Sequence, residues 1–256
     1  MAIYTDKQQR EVFHFLFLEK LLKISDLRFY VLKGGVNLRF FFGSPRYSED
    51  MDIDVFGGSV ATLKKNGYKI LEDASFRRIL QTYGIANLIV NDPASAKQTA
   101  TTQRFKFRLV NEAGEEFPTK VEFSRRDKND DAGAVQELIP PEVIRSYRRL
   151  SYECRHYPGE LAALQKVNAL AGRAESQARD VFDLYLLYLG GHLHQEKIRQ
   201  RVSLVDRQKA SLALMSLDFE SYQGQVVEYL DASARNQYAS KKAWDQMTKT
   251  VLEMIE

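Results

Sequence analysis

The sequence is poor in cysteine and contains no long hydrophobic run. Cys154 is the only cysteine among 256 residues, so the chain can form no intrachain disulfide. The longest apolar run near the N-terminus, residues 12–22, is interrupted by His14, Glu19 and Lys20, and it is shorter than the roughly 20 apolar residues that a membrane-spanning helix needs. The first six residues also lack the basic and apolar segments of a signal peptide. These absences predict a cytoplasmic protein that does not contact a membrane.

Motifs of several well-known catalytic sites are missing as well. No glycine-rich loop ends in Lys-Ser or Lys-Thr, so a P-loop is not expected, and no serine or cysteine stands in a nucleophile motif. His192 and His194 are two residues apart, but no third ligand lies nearby in the sequence, and a zinc site is therefore not predicted. Any chemistry must come from carboxylates and cations.

The net charge is modest. The chain has 37 lysines and arginines against 34 acidic residues, a formal charge of +3, which does not by itself identify a nucleic-acid-binding protein. Positive charge is concentrated at residues 125–128 and 145–149. A polyanion could bind there, but a solvated surface is the more ordinary interpretation and the one that charge alone favours.

The spacing of apolar residues divides the chain into a mixed part and a helical part. Residues 6–24 have the periodicity of an amphipathic helix, with Asp6 as a candidate cap. Strands are predicted where apolar residues alternate or form short runs, at residues 28–33, 51–56, 85–90, 104–110 and 119–124. Beyond residue 158 only helical patterns follow. The sequence therefore predicts an α+β fold, with a mixed sheet and flanking helices in residues 1–158 and a helical bundle in residues 159–256.

Three aspartates alternate along one predicted strand. In Asp50-Met51-Asp52-Ile53-Asp54 the carboxylates can project from one face, and Glu122, in the middle of a later strand, is the best candidate for a further carboxylate. Nucleotidyl transfer needs such a cluster to hold one or two magnesium ions against a triphosphate. The alternative is the wet face of an edge strand, although three like charges on one strand repel each other without a cation.

Two further groups of residues could bind phosphate. Gly34-Gly35 lies between a predicted strand and a predicted helix, where backbone N–H groups can contact triphosphate oxygens with help from Lys33; a simple turn is the alternative. Lys166 and Arg173 are two helical turns apart and precede Arg179, Asp180 and Asp183. These residues could form a triphosphate clamp, or Arg179 and Asp183 could be an ordinary i,i+4 pair.

Residues 32–39, which include Lys33-Gly34-Gly35, and residues 45–52, which include Arg46-x-Ser48-x-Asp50-x-Asp52, resemble the AbiEii/AbiGii toxin nucleotidyltransferases, a branch of the DNA polymerase beta-like superfamily. The resemblance continues at Lys120-Val121-Glu122, at Lys166 and at Arg179-Asp180-Val181-Phe182-Asp183. The chain departs from the family at Val36-Asn37, where small or hydroxyl residues are frequent.

The resemblance implies roles for individual residues. Asp50 and Asp52 are the expected metal ligands, with Glu122 as the third carboxylate and Asp54 as a neighbour. The expected metal is magnesium, with manganese as an alternative. Lys166 is expected to contact the triphosphate, and Asp180 or Asp183 to be needed in the active site. The expected nucleotide-binding residues are Lys33, Gly34, Gly35, Ser48, Lys166 and Arg173, although Ser48 could instead cap a turn.

The resemblance also implies a biological context. It predicts a metal-dependent enzyme that transfers a nucleoside monophosphate from a nucleoside triphosphate to an acceptor hydroxyl, with RNA such as tRNA as the expected acceptor. Its expected role is the toxin of a toxin–antitoxin or abortive-infection system, with an antitoxin encoded nearby. Transfer to a protein or a small molecule is one alternative, and a non-catalytic module of the same fold that binds nucleotides or a partner is another.

Overall fold

A computed structural model describes residues 4–92, 97–127 and 133–256. Two of the sequence-based predictions fall partly outside the described residues. These are the absence of a signal peptide, which includes residues 1–3, and the first basic cluster, which includes Lys128. Within the described residues, no helix is both long enough and apolar enough to cross a membrane.

Helices and strands alternate in the N-terminal part, and helices alone follow. The strands are β1 (Tyr30–Lys33), β2 (Met51–Val55), β3 (Ile85–Val90), β4 (Thr102–Asn111), β5 (Glu116–Arg125), β6 (Val135–Leu138) and β7 (Glu153–His156). The helices are α1 (Asp6–Ile24), α2 (Gly34–Phe41), α3 (Val60–Glu72), α4 (Ala74–Gln81), α5 (Pro141–Ile144), α6 (Gly159–Gly172), α7 (Ala178–Leu189), α8 (Gln195–Arg201), α9 (Leu204–Met215), α10 (Phe219–Gln225), α11 (Ala232–Tyr238) and α12 (Lys241–Ile255).

The described strands form one mixed sheet in the order β3-β4-β5-β2-β1-β7-β6. Strand β2 lies near its centre, antiparallel to β1 and parallel to β5. Strands β4 and β5 form a long antiparallel hairpin. The predicted mixed sheet with flanking helices is confirmed, and the strand that carries the aspartates is central rather than an edge strand.

Alternation along the hairpin separates a core face from a polar face. Phe105 and Phe107 of β4 and Phe123 of β5 are buried, and the ring of Phe13 in α1 packs 4.7 Å from the ring of Phe107. The residues between them are polar or charged, because successive side chains of a strand point to opposite faces. The core therefore lies on one face of the sheet, and charged side chains occupy the other face of the hairpin.

The chain divides into two compact units, residues 1–41 with 47–157 and residues 42–46 with 158–256. The segment 42–46 thus belongs to the helical unit, although it lies between α2 and β2. Its contacts are specific: the Asp231 amide donates to the Pro45 carbonyl at 2.9 Å, and the ring centroids of Phe42 and His192 are 5.1 Å apart. His192 also covers Gly159, where an added Cβ would lie 2.3 Å from its Cγ.

Candidate active site

Asp52 occupies the middle of the sheet, between one cation and one carboxylate. It is opposite Lys33 of β1 and opposite Glu122 of β5 in the strand register. Directly opposed residues share a face of the sheet, so the three side chains lie on the same side. Among the described residues, Asp52 forms no ion pair of its own.

Gly34 lets the first turn of α2 approach Asp52 closely. Its backbone has a φ of +70°, and a Cβ at this position would lie 3.0 Å from Oδ2 of Asp52. Only glycine adopts this conformation without a steric cost, and only glycine leaves room for the carboxylate. Gly35 follows in the same turn, so the predicted glycine pair begins a helix beside the acid.

Burial raises the pKa of Asp52 above its ordinary value, and the nearby carboxylates of Glu122 and Asp50 raise it further, while Lys33 and Lys120 act in the opposite direction. The ionised form of Asp52 is therefore disfavoured in this environment. A cation on this face would stabilise that form.

Asp50 precedes β2 and is held by a lysine. Its Oδ1 accepts from the Lys120 amide at 3.1 Å, and its Oδ2 forms an ion pair with the Lys120 ammonium. The Ser48 hydroxyl donates to the Asp50 carbonyl at 2.8 Å. Ser48 therefore shapes the turn that leads into β2, as in the turn-capping alternative.

Asp54 is the most buried of the three aspartates, with a side chain only 3% exposed. Its oxygens lie 2.5 Å from Lys33 Nζ, 2.8 Å from the Tyr157 hydroxyl, which donates to it, and 3.1 Å from Arg126 Nε. Protein groups occupy the oxygens of the Asp54 carboxylate. Its contacts therefore position the Lys33 side chain.

Glu122 is paired with Arg104 on β4, whose Nε donates to Oε2 at 2.6 Å. Asp52 and Glu122 are neighbours, but the two expected metal ligands beside Asp52 each contact a cationic side chain. Within the described residues, no three acidic, histidine or cysteine side chains are arranged to hold a metal ion. The structure therefore brings Asp52 and Glu122 into register without assembling the complete expected ligand set.

The chemistry of the donors nevertheless fits a divalent cation. The candidate ligands Asp50, Asp52 and Glu122 offer oxygen atoms only, which are the donors that magnesium and manganese prefer. The face also holds more carboxylates than ion pairs satisfy, since Asp52 forms no ion pair with any residue that the structure describes.

Asn37 and His156 explain the departure from the family pattern after Gly35. Asn37 is buried; its amide donates to the Tyr157 carbonyl at 2.9 Å, and its Oδ1 lies 3.0 Å from His156 Nδ1. Val36 is also buried. Both positions are occupied by contacts within the protein.

The predicted cations and acids of the helical unit form a buried network. The Lys166 ammonium lies 2.8 Å from Oδ1 of Asp180 and 2.6 Å from Oδ2 of Asp183. Arg173 Nε is 2.9 Å from Asp180 Oδ2, and Arg46 Nη2 donates to both oxygens of Asp183 at 3.0 and 3.1 Å. Both aspartate side chains are fully buried.

This network differs from an ordinary helix pair. Among the described residues, Asp183 pairs with Arg46 and Lys166 and not with Arg179. Burial alone would lower the pKa of Lys166, but Asp180 and Asp183 outweigh it and the pKa is raised; burial would raise the pKa of Asp183, but Arg46 and Lys166 lower it. Lys166 and Asp183 are therefore held in their charged forms.

Residues that contact the predicted acids were missing from the sequence-based set, among them Arg46, Lys120 and Arg104, as well as Tyr157 and Arg126 beside Asp54. Arg46 stands in the motif Arg46-x-Ser48-x-Asp50-x-Asp52, and that position is the signal that could have identified it. Lys120 precedes Glu122 by two residues, so the two side chains lie on the same face of β5. No pattern in the sequence indicates the contact between Arg104 and Glu122. The contact follows from the register of the hairpin, which places the two residues opposite each other.

Comparison with known structures shows the same fold. A Helicobacter pylori protein, JHP933, aligns with 99% of this chain and 92% of its own at 19% identity and a TM-score of 0.59. MenT4, a nucleotidyltransferase toxin from Mycobacterium tuberculosis, aligns with 98% of this chain and 84% of its own at 16% identity and a TM-score of 0.60. No curated protein matches the sequence.

The sequence also matches a family profile. The family described as nucleotidyl transferase AbiEii toxin, type IV TA system, matches residues 17–255. This range includes both the β2 carboxylates and the buried network of α6 and α7, and it confirms the resemblance of the motifs. The chain therefore belongs to the AbiEii family of nucleotidyltransferase toxins of type IV toxin–antitoxin systems, and it is a nucleotidyltransferase.

Proposed function

We propose that this nucleotidyltransferase transfers a nucleoside monophosphate from a nucleoside triphosphate to a hydroxyl group of RNA, tRNA in particular, in the cytoplasm. The observation that carries the proposal is the position of Asp52, which lies beside Glu122 in register, packs against Gly34 and has no ion pair among the described residues. A type IV toxin family implies a nucleoside triphosphate substrate and a cognate antitoxin.

Magnesium, or manganese in its place, would be held by Asp50 and Asp52 with Glu122, and would supply Lewis-acid stabilisation of the charge at phosphorus. Lys33 and the first turn of α2, which begins with Gly34 and Gly35, offer an ammonium and backbone N–H groups to the phosphates. Glu122 is also placed beside Asp52, where a carboxylate could accept the proton of the acceptor hydroxyl.

The second part of the proposal concerns the residues of the buried network. Lys166 stays the predicted contact of the triphosphate, with Arg173 as a further nucleotide-binding residue, and Asp180 and Asp183 stay predicted active-site residues. In the helical unit the two aspartates fix the Lys166 ammonium and keep it charged. We also propose that the chain has two domains. Residues 1–158 form the nucleotidyltransferase domain, and residues 159–256 form the helical domain.

The test is a labelling assay. Purified protein is incubated with each labelled nucleoside triphosphate, magnesium and total RNA, and wild type is compared with Asp52→Asn. We expect labelled RNA with wild type and a loss of about 100-fold or more in the variant, because the Asp52 carboxylate would hold the divalent cation that stabilises the negative charge developing around phosphorus. The matched control is Asp245→Asn at an exposed position of α12, which should label RNA like wild type.

The same assay separates the alternatives. Label in a protein band or in the small-molecule fraction would replace RNA as the acceptor, and equal labelling by wild type and Asp52→Asn would refute the site. A non-catalytic module would label nothing. Titration calorimetry with magnesium and each nucleotide would then show whether it binds nucleotides at all.

A further inference from the structure

Three cations lie close together on the polar face of the β4–β5 hairpin. Lys106 is directly opposite Lys120 in the register, and Arg104 is opposite Glu122. Alternate residues of a strand are about 6.6 Å apart and opposed residues about 5 Å apart, so Arg104, Lys106 and Lys120 are neighbours. Like charges directly opposite each other destabilise a sheet. Asp50 balances the charge of Lys120, so a further anion beside Lys106 would stabilise this part of the hairpin.

Two of these cations are engaged by the expected metal ligands. Lys120 forms an ion pair with Asp50, and Arg104 with Glu122 at 2.6 Å. Lys106 is exposed and forms no ion pair within the described part of the chain. The side chains of the two ion pairs are 19–30% exposed. Such partly exposed pairs are weak, so either pair can separate when another charged group binds.

We propose that Lys120 and Arg104 are exchangeable counter-ions, and that with Lys106 they form a phosphate-binding group once a divalent cation has taken over Asp50 and Glu122. With Asp50 and Glu122 engaged by a divalent cation, Lys120 and Arg104 would be released from these carboxylates and would be available to bind phosphate on the same face. This inference rests on the proposed metal site. The phosphate belongs to the nucleoside triphosphate or to the RNA backbone, which share this chemistry.

The first experiment measures the binding of magnesium alone by calorimetry. Lys120→Gln and Arg104→Gln should each bind magnesium more tightly than wild type, by about three- to tenfold, because a competing cation is gone. Lys106→Gln, which breaks no carboxylate pair, should change the affinity by less than about twofold. Lys64→Gln, an equal charge change at an exposed position of α3, is the control for net charge. Unchanged or weaker magnesium binding in both Lys120→Gln and Arg104→Gln would overturn the exchange.

The second experiment measures phosphate binding in excess magnesium. Inorganic tripolyphosphate represents the nucleotide, and a fluorescent single-stranded RNA represents the acceptor. Lys106→Gln and Lys120→Gln should each weaken one of these ligands by about three- to tenfold, while Lys64→Gln should not. In wild type, that ligand should bind more weakly when magnesium is omitted. If both ligands bind the variants as they bind wild type, the phosphate-binding group does not exist.

Asp52→Ala distinguishes this inference from the proposed function. If wild type and Asp52→Ala take up magnesium equally, the metal site itself is wrong. If magnesium binding needs Asp52 but is not tightened by Lys120→Gln or Arg104→Gln, only the exchange fails. Circular dichroism of every variant confirms that the fold is retained.

Discussion

At the scale of the residue, Asp52 and Asp54 of β2 have different neighbours, and we therefore expect different functions for them. Asp54 accepts from Tyr157 and pairs with Lys33 and Arg126. Asp52 has no such partner within the described residues and is in contact with Gly34. A carboxylate that the protein already satisfies has little reason to bind a ligand, whereas an unsatisfied one beside a glycine turn does. Asp52 is thus the residue on which we expect activity to depend most.

Gly34→Ala tests the contact between α2 and Asp52. The left-handed backbone costs an alanine about 1–2 kcal/mol, and its Cβ would meet Oδ2 at 3.0 Å. We expect the labelling activity to fall by about 10- to 100-fold, because a small displacement of a reacting group is costly. Gly114→Ala is the control: its φ is +81° but nothing lies within 4 Å of the new Cβ. It should show the backbone cost in a denaturation curve and keep its activity, and equal activity losses would contradict the contact.

Spacing alone predicts that the aspartates share a face, and the resemblance distinguishes Asp50 and Asp52 from Asp54. The residues that hold these acids could not be predicted in the same way. Tyr157 reaches Asp54 across 103 positions of sequence, and Arg104 reaches Glu122 only because the hairpin register sets them opposite. Such partners depend on non-local strand pairing, which local patterns do not determine.

At the scale of the element, the short segment 42–46 belongs to the helical unit through a buried charge network. Arg46 on this segment contacts Asp183 of α7, which also contacts Lys166 of α6. The segment is covalently followed by Ser48 and Asp50. Arg46 therefore anchors the segment 42–46 to two helices that are more than a hundred residues further along the chain.

Arg46→Met tests the network. Removing one partner of a buried ion pair leaves an under-compensated charge and costs about 3–5 kcal/mol, and the Arg46 side chain is only 5% exposed. The comparison variant is Arg173→Met, whose side chain is 39% exposed; it should cost less than Arg46→Met, because solvent already reaches the guanidinium of this pair. Urea unfolding followed by the fluorescence of Trp244, the only tryptophan, reports on the helical unit. Similar losses in the two variants would show that the network adds no stability through Arg46.

Local patterns located most of the elements. The predicted helix 6–24 and the predicted strand 85–90 have those bounds in the structure. The strands predicted at 104–110 and 119–124 begin two and three residues earlier, at 102 and 116, and each ends one residue later, at 111 and 125. The prediction that Asp6 caps α1 was wrong. The cap is Thr5, whose side chain accepts a hydrogen bond from the Gln8 amide. Strands β6 and β7 were missed because each has only four residues, of which at least half are polar or charged, without a clear apolar alternation.

At the scale of the whole molecule, the change from a mixed to a helical part was predictable, whereas the sheet order was not. Strand β2 pairs in parallel with β5, and β1 in parallel with β7, although these strands are far apart in sequence. Placing an acid-rich strand at the centre of the sheet has a consequence for stability. Neutral and charged polar groups must be buried next to it, and His14 of α1 is one of them.

His14 makes the stability of the protein depend on pH. Burial, opposed by Asp50 and assisted by Arg10, lowers the pKa of His14 from 6.5 to about 4. Nε2 lies 3.2 Å from the Thr119 hydroxyl, which itself donates to the Glu49 carbonyl, so the neutral imidazole donates to Thr119. Between pH 6.5 and about pH 4 the unfolded chain binds a proton that the folded protein does not. Stability must therefore decrease as the pH falls through this window.

We expect His14 to account for a loss of about 3 kcal/mol across that window, since one pKa unit corresponds to about 1.4 kcal/mol. The measurement is urea denaturation followed by far-UV circular dichroism at neutral pH, near pH 5.5 and near pH 4.5. His14→Gln keeps a donor for Thr119 but cannot be protonated, so its free energy of unfolding should change less with pH than that of wild type, while it is the less stable protein at neutral pH. His194→Gln, at an exposed position, should retain the wild-type slope. If His14→Gln and wild type lose stability in parallel between neutral pH and pH 4.5, the titration of another group controls the acid sensitivity of the protein.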